Sequence, residues 1–205
     1  MSRPGSLLLV RHAESIWNAK GLVQGQSPLA PGLTEKGIEQ GRTLARNPAF
    51  AEATLVMSSD LRRAIETARF IVEELDLPLV LEPRLRERAF GVLEGNPSTL
   101  AHPSHTGIGC DTVLDADARP DGGETLREFY SRVAGLLDDV MEGASKGPVI
   151  LVTHGGVLRA ATAYLGRVPP EKMSWAPVAN SAVFEVSEDG SVVEGLHLST
   201  RTENS

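Results

Sequence analysis

Two of the five histidines in the chain close an apolar run: Leu7-Leu8-Leu9-Val10 leads into Arg11-His12, and Val149-Ile150-Leu151-Val152 leads into Thr153-His154. A short continuous apolar run reads as a strand buried on both faces. In open α/β sheets ligands collect just past the carboxyl ends of such strands. If both runs lie in one parallel sheet, both imidazoles emerge at the same edge, with an arginine beside the first. One such stretch reads equally well as a strand ending in solvated residues; the repetition favours a site. A metal is the first competitor, since histidine is a common ligand. Neither histidine has a second His or a Cys nearby in sequence, and Arg11 would repel a cation. An anion fits better.

Phosphate is the natural anion for such a cluster. A phosphoryl group needs several rigid donors, and the guanidinium fork matches its oxygens in pairs. Arg11 is one candidate. Arg63, in the first turn of a helix expected after a second strand, is another. The helix opening at Gly155-Gly156 adds free backbone N–H groups, and the two glycines let them approach a ligand closely.

The elements that must position these residues follow from the pattern of the chain. Residues 13–32 read as irregular, broken by Gly21, Gly25, Pro28, Pro31 and Gly32. Thr34 reads as an N-cap, with Leu33 and Ile38 spaced as a hydrophobic staple, opening a helix to about Arg46. Thr54–Met57 is a strand, with Ser58, Ser59 and Asp60 as candidate caps for a helix carrying Leu61, Ala64, Ile65, Ala68, Ile71, Val72 and Leu75 on one face. Leu79–Leu81 is a third strand, and the apolar spacing from Leu126 to Val140 marks another helix. The helix after His154 runs to about Leu165, stopped by Gly166, and two strands near 181–187 and 191–198 join at Glu188-Asp189-Gly190. Strands alternating with helices predict a three-layer α/β/α sandwich, mostly parallel, with an antiparallel strand near the C-terminus. The 205 residues suit one domain, with a loop over about 98–123 as the least regular segment.

The net charge of −7 argues against a nucleic-acid partner. No apolar run approaches the roughly 18 residues of a membrane span, and residues 1–5 lead into the first strand without a signal-peptide core. The single cysteine, Cys110, excludes an intrachain disulfide framework and fits a reducing, cytoplasmic compartment.

Five segments, in order, carry a family resemblance. Arg11-His12-Ala13-Glu14-Ser15 with Asn18 resembles the Arg-His-Gly-Glu signature of the histidine phosphatase (phosphoglycerate mutase-like) superfamily. Ser58–Ala64 with Thr67-Ala68, Leu85–Gly91 with Glu94-Gly95, Asp121–Glu124 and Thr153–Gly156 resemble its remaining motifs, over about residues 7 to 190. The resemblance implies a phosphoglycerate mutase-like fold and a metal-independent phosphomonoester hydrolase with no cofactor, acting on a small sugar, nucleoside or alcohol phosphate. His12 would be the nucleophile and Glu87 the general acid and base. Arg11, Arg63 and His154 would hold the phosphoryl oxygens, with Asn18, Gln24, Gly25 and Gly155 adding phosphate contacts. The family pattern selects Arg63 over Arg62 and Glu87 over Glu82 and Glu94. Glu14 reads as a partner of a nearby cation, and His102, His105 and Cys110 as loop residues whose spacing matches no common zinc pattern. Trp17 and Trp175 read as core rather than pocket wall, and His197 as structural.

Three departures stand out: Ala13 replaces the family glycine, Leu22 a frequent arginine, and Leu93 a frequent tryptophan. The competing activity is a phosphoglycerate mutase, which needs a second basic cluster. Residues 98–123 hold one arginine, Arg119, and four aspartates, Asp111, Asp115, Asp117 and Asp121. Charge repulsion there disfavours a strongly anionic partner, so a hydrolase with a neutral or weakly anionic leaving group is expected. A non-catalytic phosphate-binding regulatory module is the third reading. The sequence leaves the oligomeric state open, a homodimer included.

Overall fold

The computed structural model describes residues 6–101, 115–143, 147–187 and 191–194. Six strands form one sheet: β1 (Leu7–Arg11), β2 (Leu55–Ser58), β3 (Leu79–Leu81), β4 (Val149–Thr153), β5 (Val183–Val186) and β6 (Val192–Glu194). Their order is β3-β2-β4-β1-β5-β6. The first four are mutually parallel; at one side β5 pairs antiparallel with β1, and β6 antiparallel with β5. The two strands that end in histidine, β1 and β4, are adjacent and central. Arg11 pairs in register with Thr153, which sets His12 and His154 side by side past the strand ends.

Alternation along these strands divides the core in two. Leu7, Leu9, Val149 and Leu151 face one side, where they pack with α4 (Leu126–Gly143) and α5 (Gly155–Leu165). Leu8, Val10, Ile150 and Val152 face the other, against α2 (Glu35–Ala45) and α3 (Arg62–Leu75). Both faces being covered is why β1 and β4 are apolar at consecutive positions. Helices α2 and α3 touch closely because Gly41 is a glycine: a Cβ there would stand 2.4 Å from the Phe70 ring.

Two local expectations change. Residues 13–32 are not wholly irregular, because Ile16–Ala19 form a short helix, α1. Ser15 caps it in a capping box closed by the Asn18 side chain. Asn18 stands where a Glu or Gln usually does, so the box does not announce itself in the sequence. At α3 the N-cap is Leu61, which supplies no side-chain cap. Ser58, Ser59 and Asp60 are committed elsewhere: the Ser58 hydroxyl donates to the Ser59 carbonyl, Ser59 reaches His154, and Asp60 pairs with Arg86. Thr34 does cap α2, accepting from the Gly37 N–H at 2.9 Å. The turn at 188–190, the histidines His102, His105 and His197, Cys110 and Asp111 lie outside the described residues.

Candidate active site

A cavity of about 250 Å³ opens over the carboxyl ends of β1 and β4. His12 is at its floor, 2% exposed. Its Nδ1 lies 2.7 Å from the carbonyl of Ala13, which can only accept, so Nδ1 carries the proton. The lone pair is therefore on Nε2, where Arg63 Nε donates to it at 3.2 Å. Burial, then the positive charges of Arg63 and Arg11, hold the imidazole well below its usual 6.5. A buried ring beside two cations stays neutral, which is the form a nucleophile needs. The Asn180 side chain donates to the His12 carbonyl at 3.0 Å and helps fix the strand end.

Arg63 reaches the site from the first turn of α3. Its guanidinium donates to His12 and to the Gly25 carbonyl at 2.9 Å. Burial brings it down to about 10, against the counter-pull of Glu87, so it remains charged. The Arg63 carbonyl in turn accepts from the Thr67 hydroxyl at 2.8 Å, and that oxygen accepts from the Ala13 N–H at 3.0 Å. This buried threonine ties α3 to the loop behind the nucleophile. Arg62, by contrast, turns outward to Glu66.

Arg11 crosses the cavity wall against Gly155 and donates to the Val178 carbonyl. His154 packs edge-on to His12, ring centroids 5.2 Å apart and planes at 60°. Its Nε2 lies 2.8 Å from the Ser59 hydroxyl oxygen. Ser59 Oγ also accepts from the Leu61 N–H. The other ring nitrogen of His154, Nδ1, pairs with no protein group among the described residues. Burial and then Arg63 keep His154 well below 6.5 too.

Glu87 enters from the segment after β3. Its Oε2 accepts from the Gly156 N–H and its Oε1 from the Arg88 N–H, both at 2.9 Å. The carboxylate lies at the N-terminal end of α5, where backbone N–H groups point outward. A frame holds the backbone beneath it. Arg132, from α4, donates to the carbonyls of Arg84 and Arg86 at 2.7 and 2.9 Å and grips the Glu124 carboxylate. Gln26 donates to the Glu87 carbonyl at 2.9 Å. Glu94 accepts from the N–H groups of Gln26 and Phe90, and Glu82 pairs with Arg84, so neither acid competes with Glu87 for the cavity.

The expected phosphate contacts converge on the same cavity. Asn18, Gln24, Gly25 and Gly155 all line it. Gln24 is oriented by the Ser15 hydroxyl, which donates to its Oε1 at 2.8 Å and leaves the amide N–H groups for a ligand. Glu14 pairs with Lys36, away from the cavity. Sequence reasoning missed Ser59, Thr67, Asn180, Arg132 and Arg159, and it placed Trp175 in the core. Trp175 packs partly against the core, but it also walls the cavity, with the Arg159 guanidinium 5.3 Å over its ring. Of these, Ser59 and Thr67 sit inside the quoted motifs, whereas Asn180, Arg132 and Arg159 lie outside them. No group of three or more His, Cys, Asp or Glu able to hold a metal occurs among the described residues, and no helix among them is long and apolar enough to cross a membrane.

Comparison with known proteins agrees with this geometry. The chain is 33% identical over 185 residues, 90% of each chain, to the "Putative phosphoserine phosphatase 2" of Hydrogenobacter thermophilus. It is 38% identical over 151 residues, 73% of this chain and 69% of the relative, to the "Probable phosphoglycerate mutase GpmB" of Yersinia pestis. Among solved structures it resembles the α-ribazole phosphatase of Shigella flexneri (28% identity, TM-score 0.76, covering 93% and 95% of the two chains). It also resembles a mycobacterial glucosyl-3-phosphoglycerate phosphatase in complex with VO3 (28%, TM-score 0.73, 89% and 92%). The family model for branch 1 of the histidine phosphatases matches residues 7–198, and the chain belongs to the histidine phosphatase superfamily.

Proposed function

We propose that this protein is a phosphomonoester hydrolase that works through a phosphohistidine at position 12. The observation that carries the reading is the juxtaposition of a neutral, buried His12, its Nε2 directed at Arg63, with Arg11 and Glu87 lining the same cavity and the His154 ring edge-on to His12. In the first step His12 Nε2 bonds to phosphorus and the ester P–O bond breaks. Glu87 gives its proton to the departing oxygen. Throughout, Nδ1 keeps its proton on the Ala13 carbonyl, so the phosphorylated ring is held in one orientation. In the second step water attacks phosphorus, Glu87 takes a proton from it, and the P–N bond breaks to release phosphate and a neutral imidazole. Arg11, Arg63 and His154 act as fixed donors where charge builds on the equatorial oxygens.

Hydrolysis is favoured over mutase transfer because relatives and structural neighbours matched over about nine-tenths of both chains are named as phosphatases. The mutase-named relative is matched over a smaller share. The substrate is a small phosphorylated metabolite. Residues 98–123 are assigned as the substrate loop of a single domain, Ser98 at the start of that stretch lining the cavity. The single cysteine is consistent with a cytoplasmic setting. The test is release of inorganic phosphate from p-nitrophenyl phosphate and from a panel of alkyl phosphates, in chelator and without added metal. Release by the wild type, lost in His12→Ala, supports the reading. Turnover that interconverts phosphoglycerates without net phosphate release supports the mutase instead.

A further inference from the structure

The phosphate-binding groups named so far leave one cation of the cavity unused. Arg159 lies one helical turn beyond Gly155 on the same face of α5, and both line the cavity. Its guanidinium stacks on the face of Trp175, 5.3 Å from the ring centroid. Its Nε is buried and has no hydrogen-bond partner, and the side chain makes no ion pair among the described residues. The neighbours that reach it electrically are Glu87 and Arg11, one attractive and one repulsive. A desolvated cation without a dedicated carboxylate is costly to keep, and cation–π stacking recovers only part of that cost.

The charge balance indicates what answers it. Among the described residues, three guanidiniums, Arg11, Arg63 and Arg159, face the cavity with a single carboxylate, Glu87. When Glu87 is protonated for its role as acid, a phosphomonoester dianion neutralises two of the three. One positive charge is left, and it belongs to an arginine whose plane is braced by an indole and whose Nε edge has no hydrogen-bond partner among the described residues. A planar monoanion fits that edge. Resting on the hydrolase reading above, we propose that Arg159, braced by Trp175, is a specificity residue that receives a carboxylate on the leaving group. The substrate class is then the phosphate monoesters of small hydroxy acids. This reverses the expectation of a neutral or weakly anionic leaving group, which rested on Leu22 and on the acidic 98–123 segment. The basic residue that matters sits on α5, 36 residues beyond the end of that segment.

The experiment compares substrates that differ only by the carboxylate: O-phosphoserine with phosphoethanolamine, and 3-phosphoglycerate with glycerol 3-phosphate. The wild type is expected to favour the carboxylate member of at least one pair by ten-fold or more in kcat/KM. In Arg159→Gln that preference should fall to within about three-fold of unity, mostly through KM, and Arg159→Lys should restore part of it. Absence of preference in the wild type, or equal loss on both members in Arg159→Gln, overturns the proposal. If the wild type hydrolyses nothing, p-nitrophenyl phosphate included, the hydrolase reading fails by itself. Calorimetric binding of the same pairs to wild type and Arg159→Gln then still decides whether Arg159 reads the carboxylate. Circular dichroism and thermal melting of the glutamine variant establish that it folds; should it not, the lysine variant and the wild-type pairs decide.

Discussion

Gly156→Ala tests whether the docked position of Glu87 matters to the chemistry. A Cβ at 156 would stand 2.0 Å from Glu87 Oε1 and 2.9 Å from its carboxyl carbon. Ordinary contact begins near 3.4 Å, so the carboxylate must retreat by roughly 1.4 Å and give up its bond to the Gly156 N–H. The clash falls on the far end of a flexible side chain, so folding should change little, by less than ~1 kcal/mol. Misplacing a reacting group by about 1 Å can cost on the order of 100-fold in rate. The variant is therefore expected to lose about 100-fold in kcat on an alkyl phosphate, whose leaving oxygen must be protonated. On p-nitrophenyl phosphate, whose leaving group departs as an anion, the first step should be nearly spared. A burst of p-nitrophenol followed by slow turnover should appear, because Glu87 is also needed to activate water. Stopped-flow release of p-nitrophenol beside steady-state phosphate release from the alkyl ester reads both. A p-nitrophenol burst rate reduced as much as kcat on the alkyl ester, or an unchanged kcat on the alkyl ester, would refute the placement of Glu87 as acid.

Other outcomes follow from the same geometry. Glu87→Gln should slow phosphoryl transfer from poor leaving groups more than from good ones, measured as a steeper dependence of kcat/KM on leaving-group basicity. Thr67→Val removes the acceptor of the Ala13 N–H and the donor to the Arg63 carbonyl inside the protein; a loss of about 1–3 kcal/mol is expected in urea unfolding, together with reduced activity. His12 and His154 are neutral in the folded chain, while in the unfolded chain they take up protons below about 6.5. The unfolded state thus binds more protons in that range, and stability should fall as pH drops below 6.5, by up to about 1.4 kcal/mol per pH unit for each histidine. His154→Gln should show about half that slope between pH 6.5 and 5; a wild-type stability that is flat across this window would contradict the buried, neutral pair.

Much of this site was legible because its positions coincide with strong local signals. The apolar runs of β1 and β4 end at His12 and His154, and parallel pairing of these strands follows from their being buried on both faces. Arg63 was reachable because the α3 periodicity starts just before it. Other residues carry no local signal. Ser59 looks like a helix cap, and only the fold reveals that it faces His154 from a neighbouring strand end. Arg159 looks like an ordinary polar position on an amphipathic helix, since nothing local says that the segment around Trp175 folds over it. Arg132 and Glu124 form their frame around the Glu87 backbone through pairings that span 8 to 48 residues. Contacts of this kind depend on packing between elements and leave no periodicity to read.

The central claim is that His12 Nε2 carries the phosphoryl group between the two chemical steps. Rapid mixing with a phosphate monoester, quenching under alkaline conditions that preserve phosphohistidine, and mass spectrometry of the digested protein address it directly. A phosphoryl group on the peptide containing His12, formed within one turnover, absent in His12→Ala and accumulating in Glu87→Gln, is the predicted result. A phosphoryl group on another residue, or full turnover in a wild-type enzyme that never becomes phosphorylated, would contradict it.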